Sequence, residues 1–140
     1  MAGQTSAISW FDGSTHLRVY TCKGQALTEQ GWDGNGPWYN GGLSTAGTTV
    51  GATSWVSGGQ IHIRVYAALN NKIVEHCWDK NSWYTGAFSA TGVSASATSW
   101  LDSSGALHIR VYVRAENGSV TEQCWDGSGP WHTGAYHGAA

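Results

Sequence analysis

The chain has 140 residues, enough for one domain. Charged residues make up only 11% of it and the net charge is −2, well under the roughly 25% charged residues of an ordinary soluble protein, which removes the electrostatic basis for nucleic acid or an anionic membrane surface as partner. No apolar run reaches the roughly 18 residues of a membrane span, the N-terminal MAGQTSAISW has neither the basic region nor the apolar core of a signal peptide, and nine Trp beside two Pro argue against disorder.

In chain order, a first strand is expected around Ile8–Phe11, a second at HLRVY (16–20) and a third at 26–32, with Lys23-Gly24 turning between them. A short fourth strand is expected around Trp38–Gly42. The series then restarts: Thr53–Val56, IHIRVY (61–66), 72–78 after an Asn70-Asn71 turn, and Trp83–Phe88. It restarts again with Thr98–Leu101, LHIRVY (107–112), 119–125 after Asn117-Gly118, and Trp131–Tyr136. Alternation and β-branched or aromatic enrichment mark these as strands, and the separators as hairpin turns. No segment has the apolar spacing of a helix.

The restart is a repeat. Trp10, Trp55 and Trp100 lie 45 apart, and Arg18, Arg64 and Arg110 lie 46 apart. The nine Trp fall into three registers of three, the others being Trp32/78/125 and Trp38/83/131. Four short strands per repeat of roughly 46 residues is the pattern of a propeller blade. The predicted fold is therefore an all-β β-propeller, with blades at 1–46, 47–92 and 93–140. Known propellers have about 4–8 blades, so three cannot close a ring. Closed symmetry is the rule for oligomers, and two chains supply six blades. A homodimer completing a six-bladed ring is the expected assembly.

The scarce charges recur with the blades: Arg18/64/110, Glu29/75/122 and Asp33/79/126. An Arg and a Glu in mid-strand are costly to bury unless paired or given a ligand. An ion pair between them would be merely structural. Strand parity points to another use. Glu75 and Trp78 are three apart and so face opposite ways. When blades stack, the Glu face of one meets the Trp face of the next. Each cleft then offers an Arg fork, a Glu and one or two indoles. Those groups suit a small polar ring with one apolar side, such as a sugar, whose hydroxyls donate to Glu and accept from Arg.

The units IHIRVY…KIVEHCWDKNSWYTGAF and HIRVY…VTEQCWDGSGPWHTGA resemble the fucose-binding lectins of the Aleuria aurantia lectin family, which includes fungal six-bladed propellers and short two-blade Ralstonia-type lectins. The resemblance spans the whole chain three times over. It implies binding of α-L-fucose and fucosylated glycans, multivalently and with no cofactor. Carried over residue by residue, it implies a first site of Arg18, Glu29 and Gly42 with Trp78 and Trp83. The second is Arg64, Glu75 and Ala87 with Trp125 and Trp131, and the third Arg110, Glu122 and Ala135 with Trp32 and Trp38 of the partner chain. Gly31 replaces the Cys77 and Cys124 of the other repeats, Trp78–Trp83 is one residue shorter than its counterparts, and Arg110–Glu122 one longer, so the three sites should differ in shape.

The three Cys are expected to be free, buried and structural, because stacked sheets hold Cys77 and Cys124 about 10 Å apart. They leave the compartment open. Without a leader, the cytoplasm or a non-classical export route is expected. His16, His62 and His108 recur on separate blades and cannot converge on a metal; they read as strand-surface residues or supports for the site. Asn117-Gly118-Ser119 matches a glycosylation sequon but reads as a hairpin turn. The Trp-Asp pairs raise a WD-repeat protein-interaction scaffold as the alternative, which leaves the Arg/Glu/Trp recurrence unexplained. Enzymatic glycoside cleavage would need two carboxylates flanking the sugar. Each cleft offers one Glu, expected to be engaged by Arg, and the Asp after each Trp is expected to cap a turn.

Overall fold

The computed structural model describes residues 4–139. The first three residues of the segment read for a leader, and Ala140, lie outside them. Twelve strands follow one another: β1 Gln4–Phe11, β2 Thr15–Lys23, β3 Ala26–Trp32, β4 Tyr39–Ala46, β5 Thr49–Ser57, β6 Gln60–Leu69, β7 Lys72–Trp78, β8 Trp83–Thr91, β9 Ser94–Leu101, β10 Leu107–Arg114, β11 Val120–Trp125 and β12 His132–Gly138. Each consecutive four form one antiparallel meander sheet. The fold is thus all-β, with three four-stranded blades per chain.

The first and fourth strands of each blade run longer than expected. β1 starts at Gln4 rather than Ile8, and β4 continues to Ala46 rather than ending at Gly42. The added residues are mostly Ser, Thr, Ala and Gly, which give no alternating signal. Their strand state comes from pairing with the neighbouring strand, since β-propensity largely reflects context. The hairpin β6–β7 turns on Asn70 and Asn71, both left-handed with φ of 51° and 61°, as a two-residue turn of this hand requires. In the third blade the corresponding turn is longer, and Ser119 donates from both N–H and Oγ to Asn117 Oδ1. That longer turn accounts for the extra residue between Arg110 and Glu122.

The blades stack face to face, and the core lies between them. Ile8, Tyr20, Leu27, Leu43, Val50, Ile63 and Val65 fill the first interface. Tyr66, Ile73, Phe88, Ile109, Val111 and Val113 fill the second. The first strands of the blades run side by side. Ala52 N–H donates to Ser6 Oγ at 3.1 Å, and the Thr53 and Ser99 hydroxyls meet at 2.7 Å. A Cβ on Gly51 would come within 2.2 Å of the Ala95 carbonyl oxygen, so only glycine permits the approach of β5 to β9. Cys22, Cys77 and Cys124 are buried free thiols. Burial pushes the Cys77 thiol up to about 12.

The two outward faces of the stack have no third interface. Phe88 is 4% exposed at the second interface, whereas its counterpart on the open face of the third blade, Tyr136, is 50% exposed. Trp38, on the open face of the first blade, is 49% exposed.

Candidate functional site

Strand register builds the site. In the second blade Tyr66 lies opposite Glu75 and Arg64 opposite Cys77, so these four side chains share one face. Trp78 lies opposite Ile63 on the other face. The first and third blades repeat this, with Tyr20 opposite Glu29 and Tyr112 opposite Glu122. The parity expectation therefore holds for Glu and Trp.

Each Glu sits at a break in the ladder between the third and fourth strands. Pairing skips from Thr28 to Gln30, from Val74 to His76 and from Thr121 to Gln123. Such irregularities re-aim a side chain. The facing strand bows around the carboxylate and can do so only because it carries Gly41, Gly86 or Gly134. A Cβ at these positions would stand 2.1, 1.9 or 2.0 Å from the Glu Oε1. Glu29 and Glu75 are buried. Tyr20 Oη donates to Glu29 Oε2 at 2.7 Å, and Tyr66 Oη to Glu75 Oε2 at 2.8 Å. Burial and the adjacent carboxylate push both phenols up, so they stay protonated donors. An ionised carboxylate has about four acceptor positions, and these contacts leave some free.

The Arg is not engaged by the Glu, contrary to expectation, and the Asp after each Trp is not a turn cap. Arg18 Nη1 donates to Asp33 Oδ1 at 2.9 Å, Arg64 Nη1 to Asp79 Oδ1 at 2.8 Å, and Arg110 Nη1 to Asp126 Oδ1 at 2.8 Å. The same oxygens accept from His16, His62 and His108 Nδ1 at 2.6–2.7 Å. Tyr39 and Tyr84 donate to the second oxygens of Asp33 and Asp79. Burial pushes these carboxyls up, but the donors outweigh it and hold Asp33 and Asp79 at about 2. Each Arg also lies over the first-strand Trp, with Cζ 4.9 Å from the Trp10 ring, 4.9 Å from Trp55 and 5.2 Å from Trp100. The recurring His stacks on that same Trp, 4.6–5.3 Å between centroids. An Asp–His–Trp frame thus fixes each guanidinium, leaving Glu for something else.

Two clefts open between blades. The first, about 400 Å³, brings together Arg18, Glu29 and Gly42 of the first blade with Trp78 and Trp83 of the second. The second, about 160 Å³, brings together Arg64, Glu75 and Ala87 with Trp125 and Trp131. Arg110, Glu122 and Ala135 lie on the open face of the third blade, and Trp32 and Trp38 stack 6.5 Å apart on the first blade. Within one chain these two groups are not brought together. Among the described residues no group of His, Cys, Asp and Glu could hold a metal ion.

Sequence reasoning missed several members. The three Tyr on the Glu left a signal, since each stands two residues after its Arg, in LRVY or IRVY. Ile63 and Ile109, which line the clefts beside the indoles, carry no signal beyond the alternation that marks their strands. At Gly31 a Cβ would stand 2.8 Å from the Tyr39 ring and 3.0 Å from Arg18 Nη1, and Tyr39 lies closer over its guanidinium, 5.4 Å, than Tyr84 does over Arg64 beside Cys77, 6.0 Å.

The sequence profile of the fungal fucose-specific lectin family matches residues 3–140. The chain belongs to that family. Among solved structures it is similar to a fucose lectin from Kordia zhangzhouensis in complex with methyl-fucoside, at 45% identity, covering 96% of this chain and 99% of that one with a TM-score of 0.82. It is similar to the SapL1 lectin in complex with alpha methyl fucoside, at 32% identity, 96% and 49% coverage and a TM-score of 0.80. The six-bladed β-propeller lectin of Aleuria aurantia aligns at 32% identity, with 94% and 44% coverage and a TM-score of 0.71. The chain thus spans the full length of the first and about half the length of the other two. No curated protein sequence matches it.

Proposed function

We propose that this chain is a lectin that binds α-L-fucose and fucosylated glycans in the clefts between its blades and leaves them chemically unchanged. The observation that carries the reading is the cleft of Arg18, Glu29, Trp78 and Trp83, in a chain 45% identical to a fucose lectin solved with methyl-fucoside. The guanidinium donors not used on Asp33 point sugar oxygens into place, and Glu29 accepts from sugar hydroxyls. The Trp and Ile wall of the next blade covers the apolar side of the ring. Hydrogen bonds to charged groups contribute about 1.5–3 kcal/mol each, so two of them on one rigid frame give a weak but oriented site.

Non-enzymatic binding is supported by the carboxylate count. Each cleft is lined by a single carboxylate, Glu29 or Glu75, whereas glycoside cleavage needs a pair, one of them protonated. The neighbouring Asp33 and Asp79, held at about 2, stay ionised and cannot donate a proton.

The same reading includes a homodimer that closes a six-bladed ring. Its support is the pair of open faces, one with Arg110 and Glu122 and the other with Trp32 and Trp38, each half of the set found in the closed clefts. Half-length alignment to a six-bladed lectin supports it too. Arg64→Ala tests the site assignment. Titration with methyl α-L-fucoside should lose one sugar per chain while the folded structure persists; unchanged stoichiometry would overturn the assignment.

A further inference from the structure

The first cleft holds a cation that its counterparts lack. Lys80 and Gln60 of the second blade line it, opposite Arg18 and Glu29. Lys80 makes no ion pair among the described residues, whereas every site Arg is committed to an Asp. Its position is set by the short Trp78–Trp83 loop. In the other two blades the residue after the Asp is glycine, Gly34 with φ of 92° and Gly127 with φ of 88°. Side chains rarely adopt that backbone, so those loops present no side chain there. The position of Gln60 is likewise taken by Ser14 or Ala106. The first cleft is also the larger, about 400 Å³ against about 160 Å³, so it has room beyond what the second one holds.

We infer that the first cleft is an extended site for fucosylated glycans bearing an anionic group, a sulfate ester or the carboxylate of a sialic acid, close to the fucose. Lys80 supplies the point charge and Gln60 an amide facing the same space. The second cleft, with Ala106 and Gly127 at these positions, takes the neutral and anionic glycans alike. The inference rests on the fucose reading of the same cleft.

The test isolates the first cleft in an Arg64→Ala/Arg110→Ala variant and titrates it with methyl α-L-fucoside, a neutral fucosylated trisaccharide, its sulfate ester and its sialylated form. The expected result is about two- to fivefold tighter binding of an anionic trisaccharide than of the neutral one, the range of an exposed ion pair, falling away in high salt. Sulfate and sialic acid arms separate the two sources of charge. Adding Lys80→Gln should remove the preference and leave methyl α-L-fucoside affinity unchanged. Equal affinities for neutral and anionic glycans, or a preference that survives Lys80→Gln, would overturn the inference while leaving the lectin intact. Failure of methyl α-L-fucoside to bind at all would overturn the fucose reading itself.

Discussion

At the scale of single residues, the site depends on keeping apart two charges, an Arg and a Glu, that recur together in every blade. Arg64 is held by Asp79, His62 and Trp55, and Glu75 by Tyr66 and a bowed backbone. Each can therefore face a ligand without neutralising the other. Asp79→Asn should leave the fold in place but loosen the guanidinium and weaken sugar binding at the second cleft about tenfold, in line with one charge-assisted hydrogen bond. Calorimetry on a variant with only that cleft intact would measure it. The same frame sets an acid limit. Asp33 and Asp79 have folded values of about 2, below their ordinary 3.8. A depressed carboxyl contributes stability that is present above its unfolded value and lost as pH falls through the folded one. Thermal melting points should therefore drop as pH falls from about 4 towards 2, and Asp79→Asn should shallow that drop. A melting point flat across this interval would contradict the account.

At the scale of elements, the decisive feature is the interrupted pairing at each Glu. The bow in β8 needs Gly86, because a Cβ would collide with Glu75 Oε1. Gly86→Ala should displace the carboxylate and abolish binding at the second cleft, while Gly42→Ala, whose Cβ would only touch Trp83 at 3.6 Å, should be tolerated at the first. Titrating the two variants side by side checks this contrast. Much of this scale was legible in the sequence. Parity placed Glu and Trp on opposite faces, and the resemblance to the Aleuria aurantia lectin family assigned each Arg–Glu pair to the Trp pair of the next blade. The Asp was misread because a residue just past a strand end looks like a turn former, and nothing in linear spacing says that Arg64 and Asp79, 15 residues apart, meet across a hairpin. The irregular pairing left no trace beyond the recurring Gly41, Gly86 and Gly134, since a bulge does not disturb local composition.

At the scale of the whole molecule, three blades stack through two interfaces and leave two faces open. The open faces are complementary halves. Tyr136 is half exposed where Phe88, its counterpart, is buried, and the exposed Trp38 corresponds to Trp83 and Trp131, which close the two formed clefts. In the proposed homodimer a second copy, related by a twofold axis, would cover both faces at once and complete two further clefts, giving six sites on one ring. Several weak sites on a rigid ring raise apparent affinity for clustered glycans by about 10²–10⁴. A Trp38→Ala variant should weaken the ring by removing an exposed indole from the junction, seen as dissociation at higher protein concentration, and should leave the two intrachain clefts able to bind. The central claim is that fucose sites lie between blades and that ring closure makes the third. Calorimetric titration with methyl α-L-fucoside, with the oligomer mass measured on the same sample, tests it most directly. The account predicts a dimer binding three sugars per chain; two sugars per chain would contradict ring closure, and no binding at millimolar sugar would contradict the fucose site itself.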